Sequence, residues 1–164
     1  MRARDREEYE RVFRASYTSV LRTAYLILHD RGRAEEVTQD AFLRLYERWG
    51  RAVSFEHPQA WVRTVAVRDA VRRAERERRQ SVVDLVDEAG SGDRLPDFDL
   101  IGAVAALPPR QRAAVALYYL EDRPVDEIAR LMEIAPSTVK QHLFQARSHL
   151  AESLREEVRG DVDR

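Results

Sequence analysis

Between Pro136 and Leu150, side chains able to touch the edges of bases recur at helical spacing: Ser137, Gln141, Phe144, Gln145 and Ser148. Amides and hydroxyls exchange hydrogen bonds with the donors and acceptors of a major groove, and an aromatic ring suits a thymine methyl. Lys140 and Arg147 stand at the margins of this face, so the candidate DNA-contacting set is Ser137, Thr138, Lys140, Gln141, Phe144, Gln145 and Arg147. A merely solvated helix face usually carries Glu/Lys pairs and has little reason to expose a phenylalanine. From Ser137 to Leu150 there is no acidic residue at all. A second concentration of charge lies between Arg68 and Arg79, with six arginines against three acids, and phosphate contact is favoured there over a plain solvated helix end.

Other chemistries find no residues to carry them. Cysteine is absent, which excludes a disulfide framework, thiolate catalysis and cysteine-based zinc sites. His29, His57, His142 and His149 show no metal-ligand spacing. The chain has no phosphate-binding glycine loop, no nucleophile elbow and no His-Glu-x-x-His, so neither catalysis nor a cofactor is expected. No secretory signal is expected at MRARDREEYER, and the apolar run Ala113 to Leu120 is too short to span a bilayer. A cytoplasmic protein without membrane insertion is the expectation.

The net charge of −1 hides a strong asymmetry. Residues 1–80 are basic, whereas residues 81–99 hold six acids against Arg94 alone. Nearly all of the 28 basic residues are arginine, Lys140 being the exception.

These residues must be positioned by helices. A first helix is predicted from about Arg6 to Leu28, with Phe13, Tyr17, Val20, Leu21, Ala24 and Leu28 on one stripe. A second, roughly Arg33 to Trp49, puts Val37, Ala41, Leu45 and Trp49 on one face. Pro58 opens a third, which carries Trp61, Val62, Val65 and Ala66 into the arginine run. Trp49 reads as a core anchor; Trp61 stands open between core and stacking platform. Gly90, Ser91, Gly92, Pro96 and the excess acid mark a linker. Beyond it come a short helix over Leu100 to Leu107 and a helix from Pro109 to about Leu120. Val125 to about Met132, the turn Glu133-Ile134-Ala135 and the helix opened by Pro136 then make a helix-turn-helix. From Glu152 onward the chain grows charged and is expected to fray. The fold class is all-α: two small helical domains, 1–80 and 99–164, joined by an acidic flexible linker at 81–98, the second domain being the helix-turn-helix.

The string LPPRQRAAVALYYLEDRPVDEIARLMEIAPSTVKQHLFQARSHL resembles the promoter-reading domain of sigma-70-type transcription factors of the extracytoplasmic-function group. AEEVTQDAFLRLYERW resembles their polymerase-binding helix, and HPQAWVRTVAVRDAVRRAERERR the helix that works on the downstream promoter element. The resemblance implies binding to core RNA polymerase, direction to promoters and help with strand opening. It implies that Gln39, Asp40 and Arg44 meet polymerase, and that Lys140, Gln141, Phe144 and Gln145 meet the −35 element. Ser54 to His57 match the loop near the base extruded from the −10 element. Phe55, His57 and Trp61 could supply the stacking and hydrogen bonds such a base needs; with Arg68, Arg72 and Arg73 they form the candidate −10 set. Departures stand at Glu133, where Gly is usual, at Ala135, where a capping residue is usual, and at Arg68, where Asn is common.

The expected partners are therefore core RNA polymerase and promoter DNA, with an anti-sigma protein left open. Two rivals also remain open: a stand-alone helix-turn-helix regulator, and a helical adaptor that contacts protein only.

Overall fold

The computed structural model describes residues 2–49, 56–84 and 100–162. All the elements among them are helical, in the order α1 (Ala3–Leu28), α2 (Arg31–Trp49), α3 (Pro58–Asp84), α4 (Leu100–Ala105), α5 (Pro109–Val115), α6 (Val125–Met132) and α7 (Pro136–Val162), with a π-helical turn, Ala116–Leu120, continuing α5. No helix among the described residues is long and apolar enough to cross a membrane. The loop holding Phe55 and Ser54 lies outside the described residues, as does the expected linker from position 85 onward.

Local chemistry sets the helix ends. His29 adopts a left-handed conformation (φ 51°) and donates its N–H to the Tyr25 carbonyl at 2.7 Å, closing α1. The Asp30 carboxylate then accepts from the Arg33 N–H at 2.9 Å and caps α2. α3 and α7 both begin on proline, whose missing N–H is one that a first turn leaves unbonded anyway.

α1, α2 and α3 form a bundle. Val20, Ala24 and Ile27 meet Val37, Ala41, Phe42 and Leu45, and α3 closes the core with Val62, Ala66, Ala70 and Ala74. The small residues at four-residue spacing bring the α3 backbone close. The expected stripe on α2 is buried as read, with Trp49 half-buried at its end and edge-on to Tyr9. Phe13 is not swallowed; it lies at the surface against Tyr17 and Phe42.

The carboxy-terminal helices gather around Leu117, Ile128, Leu131, Val139, Leu143 and Ala146. α1 and α2 start at Ala3 and Arg31, two to three residues earlier than expected, and three other boundaries differ as well. α3 runs on to Asp84, four residues into the segment read as linker; no Gly or Pro stands between Pro58 and Gly90 to break it. α4 stops at Ala105, where the Arg112 guanidinium donates to the terminal carbonyl at 3.1 Å. α7 does not fray at Glu152 but continues to Val162; extending an existing helix needs no new nucleus.

The two groups of helices pack on each other: α4 and α5 lie against α1, and α5 and α6 against α3.

Candidate nucleic-acid and partner interface

The turn between α6 and α7 is built by the backbone. Ile134 donates to the Ala129 carbonyl at 3.0 Å and Glu133 to the Arg130 carbonyl at 3.4 Å, the paired bonds of a Schellman stop. That motif requires a left-handed residue, and here it is Glu133, at φ 56° and ψ 43°. Glycine would adopt this conformation without a Cβ penalty. Ile134 turns back onto the core, and Ala135 starts α7 by accepting the N–H groups of Thr138 and Val139 at its carbonyl. Its methyl side chain offers no cap.

α7 buries Val139, Leu143 and Ala146 and presents Ser137, Lys140, Gln141, Phe144 and Ser148 to solvent. Phe144 is 69% exposed. The flanks are less free. Thr138 is half-buried. Gln145, also half-buried, accepts at Oε1 from Gln111 Nε2 of α5 at 3.2 Å. Arg147 donates to the Tyr119 hydroxyl at 2.6 Å and lies over the rings of Tyr118 and Tyr119. His142 is turned toward α5, where burial, and then the neighbouring Arg110 charge, push its pKa below the ordinary histidine value.

The other site residues lie along α2 and α3. Gln39 is exposed. Asp40 and Arg44 do not pair with each other across a free face: Arg73 binds both Glu36 (2.7 Å) and Asp40 (3.2 Å), and Arg44 binds Asp69 at 2.9 Å. Arg73 is thus held by carboxylates in this arrangement, whereas Arg72 is exposed beside Asp69. Trp61 is half-buried with the Arg48 guanidinium 5.2 Å above its ring. His57 is exposed at the mouth of a cavity of about 370 Å³ lined by Ser16, Ser19, Arg63 and Arg123.

Arg68 is the residue whose position least resembles a DNA-facing arginine. Its Nε donates to the Leu131 carbonyl at 3.0 Å and its Nη2 to that of Arg130 at 3.2 Å, while Nη1 pairs with Glu133 at 3.2 Å. It caps the C-terminus of α6, where the helix dipole favours a cation. The Glu121 side chain, 5% exposed, lies between Arg63, at 2.5 Å, and the Thr23 hydroxyl, which donates to it at 2.5 Å. Burial pushes the pKa of Arg63 down, and the Glu121 charge opposes this. Arg110 adds a bond to Glu75 at 2.7 Å. None of these partners was visible in the sequence: Glu121 sits in a Glu-Asp-Arg run that reads as solvated, and Thr23 lies 98 residues away.

Residues 12–80 match the family described as Sigma-70 region 2, and residues 98–150 the one described as Sigma-70, region 4. The chain is 28% identical over 159 residues to the ECF RNA polymerase sigma factor SigM of Mycobacterium tuberculosis, covering 93% of this chain and 80% of that one. It is 26% identical over 152 residues to the RNA polymerase sigma-E factor of Streptomyces antibioticus, covering 90% and 84%. Its fold is similar to that of the sigma factor RpoE solved in complex with the anti-sigma factor NepR from Bartonella quintana, with a TM-score of 0.70, 18% identity and coverage of 91% and 98%.

Proposed function

The chain belongs to the sigma-70 family, among its extracytoplasmic-function sigma factors, and from that premise we propose how its surfaces divide the work of promoter recognition. As a sigma factor it binds core RNA polymerase and promoter DNA and directs transcription initiation. Its role is regulatory, and RNA synthesis itself belongs to the polymerase.

α7 lies in the major groove of the −35 element with Ser137, Lys140, Gln141 and Phe144 foremost, and with Thr138, Gln145 and Arg147 on its flanks. A helix entering the groove brings its first turns closest to the base edges. Lys140 and Arg147 neutralise the phosphates on either side. α3 serves the −10 element: His57 and Trp61 near the extruded base, with Phe55 in the preceding loop, and Arg72 on the backbone. Arg68 and Arg73 join them on exchanging their present partners for phosphate. On α2, Gln39, Asp40 and Arg44 meet polymerase. The relative RpoE is bound by an anti-sigma factor, and a partner of that class is proposed for this chain, which acts in the cytoplasm with its polymerase.

The observation that carries this reading is the exposed face of α7 from Ser137 to Ser148, free of acids and with Phe144 on it. A stand-alone regulator or a protein-only adaptor does not account for the region 2 match of residues 12–80. Run-off transcription with core polymerase on genomic fragments tests the reading. Gln39→Arg, which disturbs no ion pair, should weaken co-purification with core polymerase at unchanged helix content. Asp40→Arg with Arg44→Glu should weaken it further. Unchanged binding by both would remove the α2 face from the contact.

A further inference from the structure

The geometry points to Gln111 as a specificity-determining residue that never touches DNA: from the core, it fixes which end of the Gln145 amide faces the −35 element. The inference rests on the reading of α7 as the −35 helix and concerns which base it reads.

Gln111 is 6% exposed, in the inward face of α5 among Ala113, Ala114 and Val115. A primary amide is costly to bury unless its bonds are made, and an apolar residue of the same shape would serve the packing alone. Both ends of this one are used. Nε2 donates to Gln145 Oε1 at 3.2 Å, and Oε1 lies 3.2 Å from His149 Nδ1. An amide oxygen only accepts, so the His149 nitrogen facing it must carry the hydrogen. Gln145 and His149 are four residues apart on α7 and bracket the Gln111 amide from one side. In this orientation Gln111 bridges the two, and the end it turns toward Gln145 sets which end of the Gln145 amide lies inward.

The consequence lies at the surface. With its oxygen committed inward, Gln145 offers only N–H donors to the groove beside Phe144. A donor-only group reads acceptors, such as N7 and O6 of guanine or O4 of thymine. It cannot make the bidentate pairing with adenine, which needs a donor and an acceptor together. Gln141, exposed one turn earlier, keeps both ends.

Gln111→Glu inverts the instruction within the same shape. A carboxylate accepts from His149 as before but cannot donate to Gln145, whose amide must turn to donate inward and show its oxygen to the DNA. The assay is transcription by the full chain with core polymerase on a promoter set carrying every single −35 substitution. At one position, Gln111→Glu should move the preference from guanine or thymine toward cytosine or adenine by roughly five- to a hundred-fold, the range of one base contact. Gln145→Ala should abolish the preference at that position in both backgrounds. Gln111→Met, which fits the core without an amide, should blur discrimination at that position and leave the others intact; it carries the test if the glutamate variant fails to fold.

Equal loss on all promoters in the folded variants would reduce Gln111 to a packing residue and overturn the inference. So would a shift that survives Gln145→Ala, or unchanged preference in both Gln111 variants. If the wild-type chain discriminates at no −35 position, the reading of α7 fails first and the inference falls with it.

Discussion

Replacing Glu121 with alanine removes the acceptor shared by Arg63 and Thr23 and leaves a guanidinium only 13% exposed with its principal counter-charge gone. Deleting one partner of a buried pair costs about 3–5 kcal/mol, most of it the penalty for the stranded charge. Arg123, 3.5 Å from the same carboxylate, adds to the unbalanced charge rather than relieving it. The chain has a way to escape this cost without unfolding. Arg63 and Thr23 belong to the α1–α3 bundle and Glu121 to the other group, so separating the two returns Arg63 to water with every helix intact. At 1.4 kcal/mol per factor of ten, the packed arrangement should lose roughly two to three and a half powers of ten in population relative to a separated one. Because the native chain has no cysteine, Arg22→Cys and Ala151→Cys can carry a donor and acceptor dye cleanly. Energy transfer between them should fall, and the radius of gyration from X-ray scattering should rise, while far-UV dichroism stays unchanged. Adding Arg63→Met, which removes the stranded charge, should restore much of the packed population. A promoter sharpens the point: positions −35 and −10 are about 85 Å apart at 3.4 Å per base pair, whereas a 27-residue helix is only about 40 Å long. The packed arrangement cannot span both elements, so Glu121→Ala should engage promoter with core polymerase no more weakly than the native chain. Unchanged transfer and scattering in Glu121→Ala would mean that the carboxylate holds nothing together.

Three further outcomes follow from the helix-turn-helix. Glu133→Gly relieves a left-handed side chain costing about 1 kcal/mol and gives up an ion pair to Arg68 made by a side chain 70% exposed, worth less than that; urea unfolding should show equal or greater stability, and a clear loss would mean that the Arg68 contact dominates. His142 has a folded-state pKa below its unfolded value, so the unfolded chain binds more protons: its contribution to stability is intact above about pH 6.5 and declines as pH falls further. His142→Leu should flatten that acid limb in thermal melts taken from pH 7 to 5, and an unchanged slope would assign the limb to other groups. Gln141→Ala should relax preference at one −35 position by a factor corresponding to roughly 1–3 kcal/mol, whereas Lys140→Ala should lower activity on all promoters and flatten the salt dependence. Transcription at two salt concentrations separates them, and no effect from either would remove α7 from the DNA.

What the sequence made legible was periodic. Val37, Ala41 and Leu45 recur every four residues and are buried; Val139, Leu143 and Ala146 likewise mark the inner side of α7. The left-handed residue at Glu133 was legible only through the family resemblance, which puts Gly in that turn. The occupation of the site residues was not. Arg68, Arg73, Asp40 and Arg44 read as free surface charges, and their partners come from other helices brought near by packing. Gln111 stands on an inward stripe where its amide is the only sign of a polar role, and its partners lie 34 and 38 residues on. A long side chain hides its destination better than a methyl group does.

The π-helical turn at Ala116–Leu120 is, in effect, one residue inserted into the end of α5, with the Glu121 N–H reaching back five residues to the Ala116 carbonyl at 3.2 Å. Insertions and deletions inside an ordinary helix turn everything beyond them by about 100° per residue. Here a deletion has somewhere to be absorbed. Removing Tyr118 would let the ladder close in α-helical register, keeping Leu117 in the core and the approach to α6 in place. What would disappear is the pair of adjacent tyrosines beneath the Arg147 guanidinium. Chain length at this one point therefore trades directly against the grip on α7, and a shortened chain should fold with Arg147 held by Tyr119 alone.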